Sequence, residues 1–326
     1  MVFDKIRWGI LGTGHIANTF AAAIASLDDA VVQAVGSRTQ KSADAFSDKY
    51  SIANRHGSYE ALTADPEVDA IYIATLNSLH MDNSILCLEA GKAVLCEKPF
   101  CINRAQSENV LAVAKKQQRF IMEAMWTRFI PALQQAMAWI DEGAIGEVRM
   151  VQANFGFRAD DAPLFDPALG GGALLDVGIY PITLAHMAFR KAPTEIRSLS
   201  YLGRNGVDEQ STYLLGYEGG GLAMLGGAIQ TNTPYDGYIM GTDGMITIHD
   251  SFWNATKVSL KKGDEVVETK ELPLHCNGYE YEAMEVHRCL REGKLESDIM
   301  PHQTTLDLME TLDTIRADWG LKYPME

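Results

Sequence analysis

The feature that most constrains this chain is a six-residue turn near its start, Gly12-Thr13-Gly14-His15-Ile16-Ala17. The apolar run at residues 5–11 precedes it and reads as a buried strand; a helical pattern over 16–26 follows it. In that setting G-x-G-x-x-A has mechanical meaning. Gly12 permits a tight turn, Gly14 lets a pyrophosphate approach the backbone, and Ala17 keeps the helix close to the sheet. The free N–H groups and positive dipole at the helix start suit phosphates. A dinucleotide site on Gly12, Thr13, Gly14, His15 and Ile16 is therefore expected.

The rest of the first third is compatible with that site. Strand-like runs at 31–36, 68–74, 93–96 and 119–123 alternate with helical patterns at 40–50, to about 90, and at 104–117. Such alternation implies βαβ units and a doubly wound parallel sheet. After about residue 122 the pattern changes. A helix is expected over 128–142. Strand-like runs then dominate at 148–157, 195–202, 209–217, 221–229, 237–240, 245–249, 258–261 and 266–272. One apolar helix over 173–189 interrupts them. Few helices between strands point to a largely antiparallel sheet. Helical patterns at 279–292 and 302–319 close the chain, the last with Leu306, Met309, Leu312, Ile315 and Trp319 on one face. The expected fold class is α/β. A Rossmann domain spans 1–122 and an α+β domain with a large open sheet spans 123–326, its C-terminal helix free to pack back on the first. The two halves are expected to form a cleft.

A formal charge of −15 disfavours nucleic acid and anionic membrane as partners, since both require clustered Lys and Arg. No stretch of eighteen or more apolar residues predicts a transmembrane helix. The start, with Asp4, Lys5 and Arg7, lacks an export-type apolar region, so the cytoplasm is the expected location. Five dispersed cysteines (Cys87, Cys96, Cys101, Cys276, Cys289) contain no C-x-x-C and read as free thiols. Cys96 and Cys101 are the nearest approach to metal ligands, but the histidines do not cluster with them, and no metal is expected.

The end of the second strand bears on which nicotinamide is bound. An NAD site usually has an acidic residue there, on the ribose hydroxyl. Here the chain reads Gly36-Ser37-Arg38-Thr39. Arg38 can pair with a 2′-phosphate through its planar fork, and Ser37 and Thr39 offer hydroxyls, so NADP is expected ahead of NAD.

Two further motifs carry chemistry. Cys96-Glu97-Lys98-Pro99-Phe100 ends a strand, and ligands of open α/β sheets bind beyond carboxyl ends of strands. Glu97 and Lys98 are thereby placed at the cofactor, together with Thr75, Asn77 and His80 after the preceding strand. His80, opening a helix, is the more structural of these. The second motif is Gly170-Gly171-Gly172-Ala173-Leu174-Leu175-Asp176-Val177-Gly178-Ile179-Tyr180-Pro181. Asp176 and Tyr180 are four apart, on one helix face. Both are costly in an apolar helix unless used or paired. Gly178 is expected to allow close approach of a ligand.

Together these segments resemble the Gfo/Idh/MocA family of oxidoreductases over essentially the whole chain. The D-V-G-I-Y form, Glu123-Ala124-Met125-Trp126-Thr127-Arg128-Phe129, and Tyr279-Glu280-Tyr281-Glu282-Ala283 followed by Met300-Pro301-His302 resemble its subgroup of dimeric dihydrodiol dehydrogenases and NADP-linked D-xylose dehydrogenases. The resemblance implies a Rossmann domain, an α+β domain, and catalysis by Lys98 and Tyr180. The expected reaction moves a hydride between the nicotinamide and a CH–OH carbon of a sugar, polyol or trans-dihydrodiol. Tyr180 would take the hydroxyl proton, with Lys98 favouring the phenolate, or Lys98 would carry the proton with Tyr180 as donor. Asp176 would orient Lys98 or a substrate hydroxyl. Trp126, Arg128, Phe155, Phe157 and Arg158 are candidate substrate contacts, with Tyr235 and Tyr238 behind them; each is equally readable as core or salt bridge. A homodimer is expected through the open sheet, using Leu222, Met224 and Leu225. Two other readings share these residues: glycoside cleavage by transient oxidation with a retained NAD, and a non-catalytic NADP sensor.

Overall fold

The computed structural model describes residues 5–160 and 162–326; Met1 to Asp4, including the charge expected at Asp4, lie outside the described residues. The strands are β1 (Ile6–Leu11), β2 (Ala30–Gly36), β3 (Asn54–His56), β4 (Ala70–Ile73), β5 (Ala93–Glu97), β6 (Ile121–Ala124), β7 (Val148–Gly156), β8 (Glu195–Leu202), β9 (Asp208–Gly216), β10 (Leu222–Ala228), β11 (Gly237–Gly241), β12 (Met245–Ile248), β13 (Lys257–Lys262) and β14 (Glu265–Glu271). The helices are α1 (His15–Ala25), α2 (Gln40–Tyr50), α3 (Tyr59–Thr63), α4 (His80–Glu89), α5 (Arg104–Gln117), α6 (Pro131–Asp141), α7 (Ile179–Phe189), α8 (Tyr279–Glu292) and α9 (His302–Asp318).

The first sheet has the order β3-β2-β1-β4-β5-β6, with every pair parallel. That is the doubly wound dinucleotide-binding order, whose switch point lies between β1 and β4. Its interior joins Leu11, Ile71, Ile73, Val94 and Cys96 from the strands to Leu88, Val110 and Ala114 from the helices, all buried. Strand β3 and helix α3 were not expected from the sequence, because three and five residues are too short to display a period.

The second sheet has the order β14-β13-β12-β11-β7-β10-β9-β8. It is antiparallel except for β10 on β7. Helix α6 begins at Pro131 rather than 128, because Ile130 before the proline is extended and Pro fits the first helical turn. A short 3-10 turn, Trp126–Phe129, precedes it. The apolar helix expected over 173–189 is likewise not uniform: Leu174–Gly178 is a π-turn that leads into α7. One helical stretch, Pro167–Phe189, is long and apolar enough to cross a membrane by length and composition, a span the sequence reading did not foresee. Within the molecule 83% of that window is buried.

The chain divides into two compact units that are not consecutive halves. One comprises the residues up to Cys101, Ala105–Trp126 and His275–Thr305; the other comprises Ile102–Arg104, Thr127–Leu274 and Leu306–Glu326. A single boundary at residue 122 therefore does not describe them, since α8 belongs with the parallel sheet. Within the first unit α8 is tied to β1 by Trp8, whose indole N–H donates to His287 Nε2 at 2.9 Å. Indole can only donate, so the ring proton of His287 sits on Nδ1, 3.2 Å from Asp29 Oδ1.

Candidate functional site

In the first unit the glycine turn opens a groove of about 410 Å³ that is lined by Gly12, Thr13, Gly14, His15, Ile16, Ser37, Arg38, Tyr59, Ala74, Thr75, Leu76 and Leu79. Gly12 has φ +105°, and a Cβ there would stand 2.7 Å from the Ala74 carbonyl oxygen, so only glycine fits. At Gly14 a Cβ would meet nothing within 4 Å: the space over it is open. Gly14 caps α1 without a side-chain hydrogen bond, and the first turn of α1 has no acidic residue. Its N–H groups and dipole thus face the groove, which fits a pyrophosphate.

At the end of β2, Ser37 Oγ lies 3.4 Å from Thr13 Oγ1 and Arg38 is exposed. Burial raises the phenol of Tyr59, and the Arg38 charge partly offsets this. Tyr59 was not foreseen, because the short α3 that carries it was not. Thr39, by contrast, is committed elsewhere: it caps α2 by accepting from Ser42 N at 3.2 Å.

The turn after β5 contains a cis Lys98–Pro99 bond. Three side chains hold its backbone. Glu97 Oε2 accepts from Lys98 N at 3.1 Å, His80 Nδ1 lies 2.8 Å from the Pro99 carbonyl oxygen, and Glu123 Oε1 accepts from Phe100 N at 3.0 Å. His80 Nε2 also lies 3.1 Å from the Thr75 carbonyl oxygen, while Asn83 donates to Thr75 Oγ1 at 3.0 Å. His80 is fully buried and its basicity is lowered, first by that burial and further by the Lys98 charge. Both ring nitrogens face carbonyl oxygens inside the unit, so His80 supports Thr75 and Pro99 instead of lining the groove. Glu97 is also a support: it is buried and accepts from the Tyr72 hydroxyl, whose pKa is raised well above the ordinary value by burial and by Glu97. Asn77 opens the short turn Asn77–Leu79 beside Thr75. Trp126 is buried and stacked on Tyr279, with centroids 4.9 Å apart, which is a core role.

The second unit holds the other motif. Asp176 is half-buried on the π-turn and Tyr180 is buried in the first turn of α7. The π-turn replaces the regular α spacing on which the expected four-residue alignment rested, and π-turns recur at functional sites. The ring of Tyr180 lies 5.5 Å from that of Phe155. Phe155 stacks on Trp253 with centroids 3.5 Å apart and meets Tyr235 edge-on at 6.1 Å. Trp253, in the turn Phe252–Asn254, carries no periodic signal and was missed. Phe157 packs with Phe155 over Ala173, Val177 and Ile229. Arg158 is exposed, its N–H donating to Asn232 Oδ1 at 3.3 Å. Arg128 places its charge near His186 of α7, whose pKa is lowered to about 4, first by burial and then by that charge. Tyr238 donates to Asp236 at 3.1 Å. Gly178 does not leave room for a ligand: a Cβ there would stand 2.5 Å from the Tyr213 hydroxyl, so its role is close packing of the π-turn on the sheet.

Burial pushes the thiols of Cys96 and Cys101 up, and Cys96 Sγ points at the Phe100 carbonyl. Among the described residues no group of three or more His, Cys, Asp or Glu is arranged to hold a metal.

The parallel order of the first sheet, its glycine turn and the uncapped α1 define a dinucleotide-binding Rossmann protein with a second, mixed-sheet unit. Two family models match the chain: the oxidoreductase family with an NAD-binding Rossmann fold over residues 6–125, and the GFO/IDH/MocA C-terminal domain over 133–247. The trans-1,2-dihydrobenzene-1,2-diol dehydrogenase of Xenopus tropicalis is 35% identical over 98% of this chain and 99% of its own length. The same enzyme of Homo sapiens is 34% identical with the same coverage. A 3-ketoreductase from Actinomadura kijaniata, solved with NADP and TDP-benzene, is 27% identical and matches 96% of this chain and 97% of its own at a TM-score of 0.86. The chain belongs to the Gfo/Idh/MocA oxidoreductase family and is an NAD(P)-binding oxidoreductase.

Proposed function

We propose that the chain is an NADP-dependent dehydrogenase acting on the CH–OH group of a trans-dihydrodiol, sugar or polyol. The observation that carries this reading is the setting of Tyr180: a phenol in the first turn of α7, just after the π-turn that holds Asp176, against Phe155, which itself stacks on Trp253. Such an aromatic pair suits the face of a cyclic substrate. The dihydrodiol dehydrogenases that match over the full length act on a ring of that kind, and the ketoreductase was solved with NADP.

NADP, when bound, supplies the nicotinamide that exchanges hydride with the substrate carbon. Gly12, Thr13, Gly14, His15 and Ile16 hold its phosphates, and Ser37 and Arg38 take the 2′-phosphate, because no acidic residue stands at the end of β2 to repel it. Thr75 and Asn77 line the approach. In oxidation Tyr180 accepts the proton of the substrate hydroxyl, and in reduction it returns it. In the first unit Lys98 supplies a positive charge after β5, and in the second Asp176 orients a substrate hydroxyl. The first unit is then the nucleotide-binding domain and the second the substrate domain.

The outer face of the eight-stranded sheet supports a homodimer. Leu199, Tyr201, Leu214, Leu222 and Met224 are exposed there, with Leu214 directly opposite Met224. Leu225, expected on the same face, is buried because neighbouring residues of a strand point to opposite sides. Five unpaired cysteines support a reducing, cytoplasmic location.

The test is a panel of dihydrodiols, aldoses and polyols with NADP and with NAD, read at the NADPH absorbance. The reading expects turnover on at least one cyclic diol or sugar, with NADP preferred. Tight NADP binding with no turnover on any of them would make the protein a sensor.

A further inference from the structure

We infer that Asp208 is a positioning residue for the reacting segment: with Ser211 and Tyr213 it forms a buried polar strut that fixes both ends of the π-turn carrying Asp176. This rests on the assignment of Asp176 and Tyr180 above. Strand β9 supplies all three groups, Ser211 and Tyr213 from its inward face.

Asp208 is fully buried. Its Oδ2 accepts from Leu174 N at 2.8 Å, at the start of the π-turn, and from the Ser211 hydroxyl at 3.2 Å. A helical start leaves N–H groups without internal partners, and this carboxyl answers one of them. Ser211 Oγ is 2.6 Å from the Tyr213 hydroxyl. That hydroxyl lies against Gly178, where a Cβ would come within 2.5 Å of it. One chain of polar groups thus reaches from Leu174 to Gly178, the two limits of the turn.

The preceding loop is seated on the same carboxyl. Gly172 has φ +118°, and a Cβ there would stand 2.5 Å from Asp208 Oδ1. The Tyr323 hydroxyl, from the end of the chain, donates to the Gly171 carbonyl at 2.7 Å and holds the same loop. Among the described residues Asp208 Oδ1 finds no hydrogen-bond partner, and burial lifts the carboxyl to about 7. A half-satisfied buried carboxyl is costly, and an apolar residue would serve packing alone better. Its placement under Leu174 gives it a task that packing does not.

The test compares Asp208→Ala, Asp208→Asn and Ser211→Ala with Tyr180→Phe, in steady-state turnover with NADP and in NADP titration by fluorescence. Asp208→Ala is expected to lower kcat by about 10- to 100-fold, the effect of a reacting group displaced by about 1 Å, with NADP affinity unchanged. Asp208→Asn is expected to recover most of that loss, because its carbonyl oxygen can accept both bonds. Ser211→Ala should fall between them, and it carries the test if Asp208→Ala does not fold. Wild-type kcat in both Asp208→Ala and Ser211→Ala overturns the inference, as does failure of Asp208→Asn to recover. If Tyr180→Phe also turns over normally, the fault lies with the catalytic assignment; if it alone collapses, only the strut falls.

Discussion

Lys98 and Asp176 are held in different ways. The Lys98 turn is gripped at three backbone atoms by three side chains: Glu97 at the end of β5, His80 from α4 and Glu123 from β6. The Asp176 segment is gripped by one strand, β9, through a chain of polar groups, and its loop by glycine fit. The first arrangement distributes the load and tolerates loss of one partner. The second concentrates it, so single substitutions should cost more there.

The largest expected effect is therefore in the second unit. Gly172→Ala must take a left-handed backbone and meet Asp208, and should lower unfolding free energy by about 3 kcal/mol in urea. An unchanged urea midpoint would show that the Asp176 loop does not depend on Gly172. Next, the two units should respond to pH with opposite sign. The Asp208 carboxyl is raised from an ordinary 3.8 to about 7, so its contribution is complete below 3.8 and lost as pH rises through 7. His287 is lowered from 6.5 to about 4, first by burial, so its contribution is present above 6.5 and lost as pH falls through 4. Asp208→Asn should gain on the wild type by on the order of 2 kcal/mol between pH 5 and pH 7, measured by denaturation at each pH. A constant difference would remove the titration from the account.

In the first unit Glu123→Ala leaves Phe100 N–H and the Thr305 hydroxyl without their acceptor. A stability loss of about 1–2 kcal/mol is expected, with a smaller loss in Glu123→Gln. A collapse of the fold in Glu123→Gln would mean that the turn is not supported from several sides. The smallest effect should come from Arg38→Ala: KM for NADP rises about tenfold, the worth of one charge-assisted bond, and KM for NAD stays put.

The same contrast explains what the sequence disclosed. The turns at Gly12 and at Lys98 were legible because each follows a strand whose period is visible. The sheet order followed from the alternation of strands and helices. Asp208 was not legible, since its partner Leu174 is 34 residues away and nothing local marks it. Gly178 was read as space for a ligand, when the space is filled by Tyr213 from another strand. Glu97 and His80 were read as cofactor contacts, but their inward direction depends on Tyr72 and the Pro99 carbonyl, which only the fold brings to them. Trp253 lies in an irregular turn, where no period could point to it.

We propose that Lys98 and Tyr180 each take part in the reaction, and NADP-linked turnover of Lys98→Met and of Tyr180→Phe beside the wild type checks this. Each variant should bind NADP and lose at least about 100-fold in kcat, the worth of a general acid–base group. Near-normal turnover in both, with the substrate that the wild type uses, would contradict it.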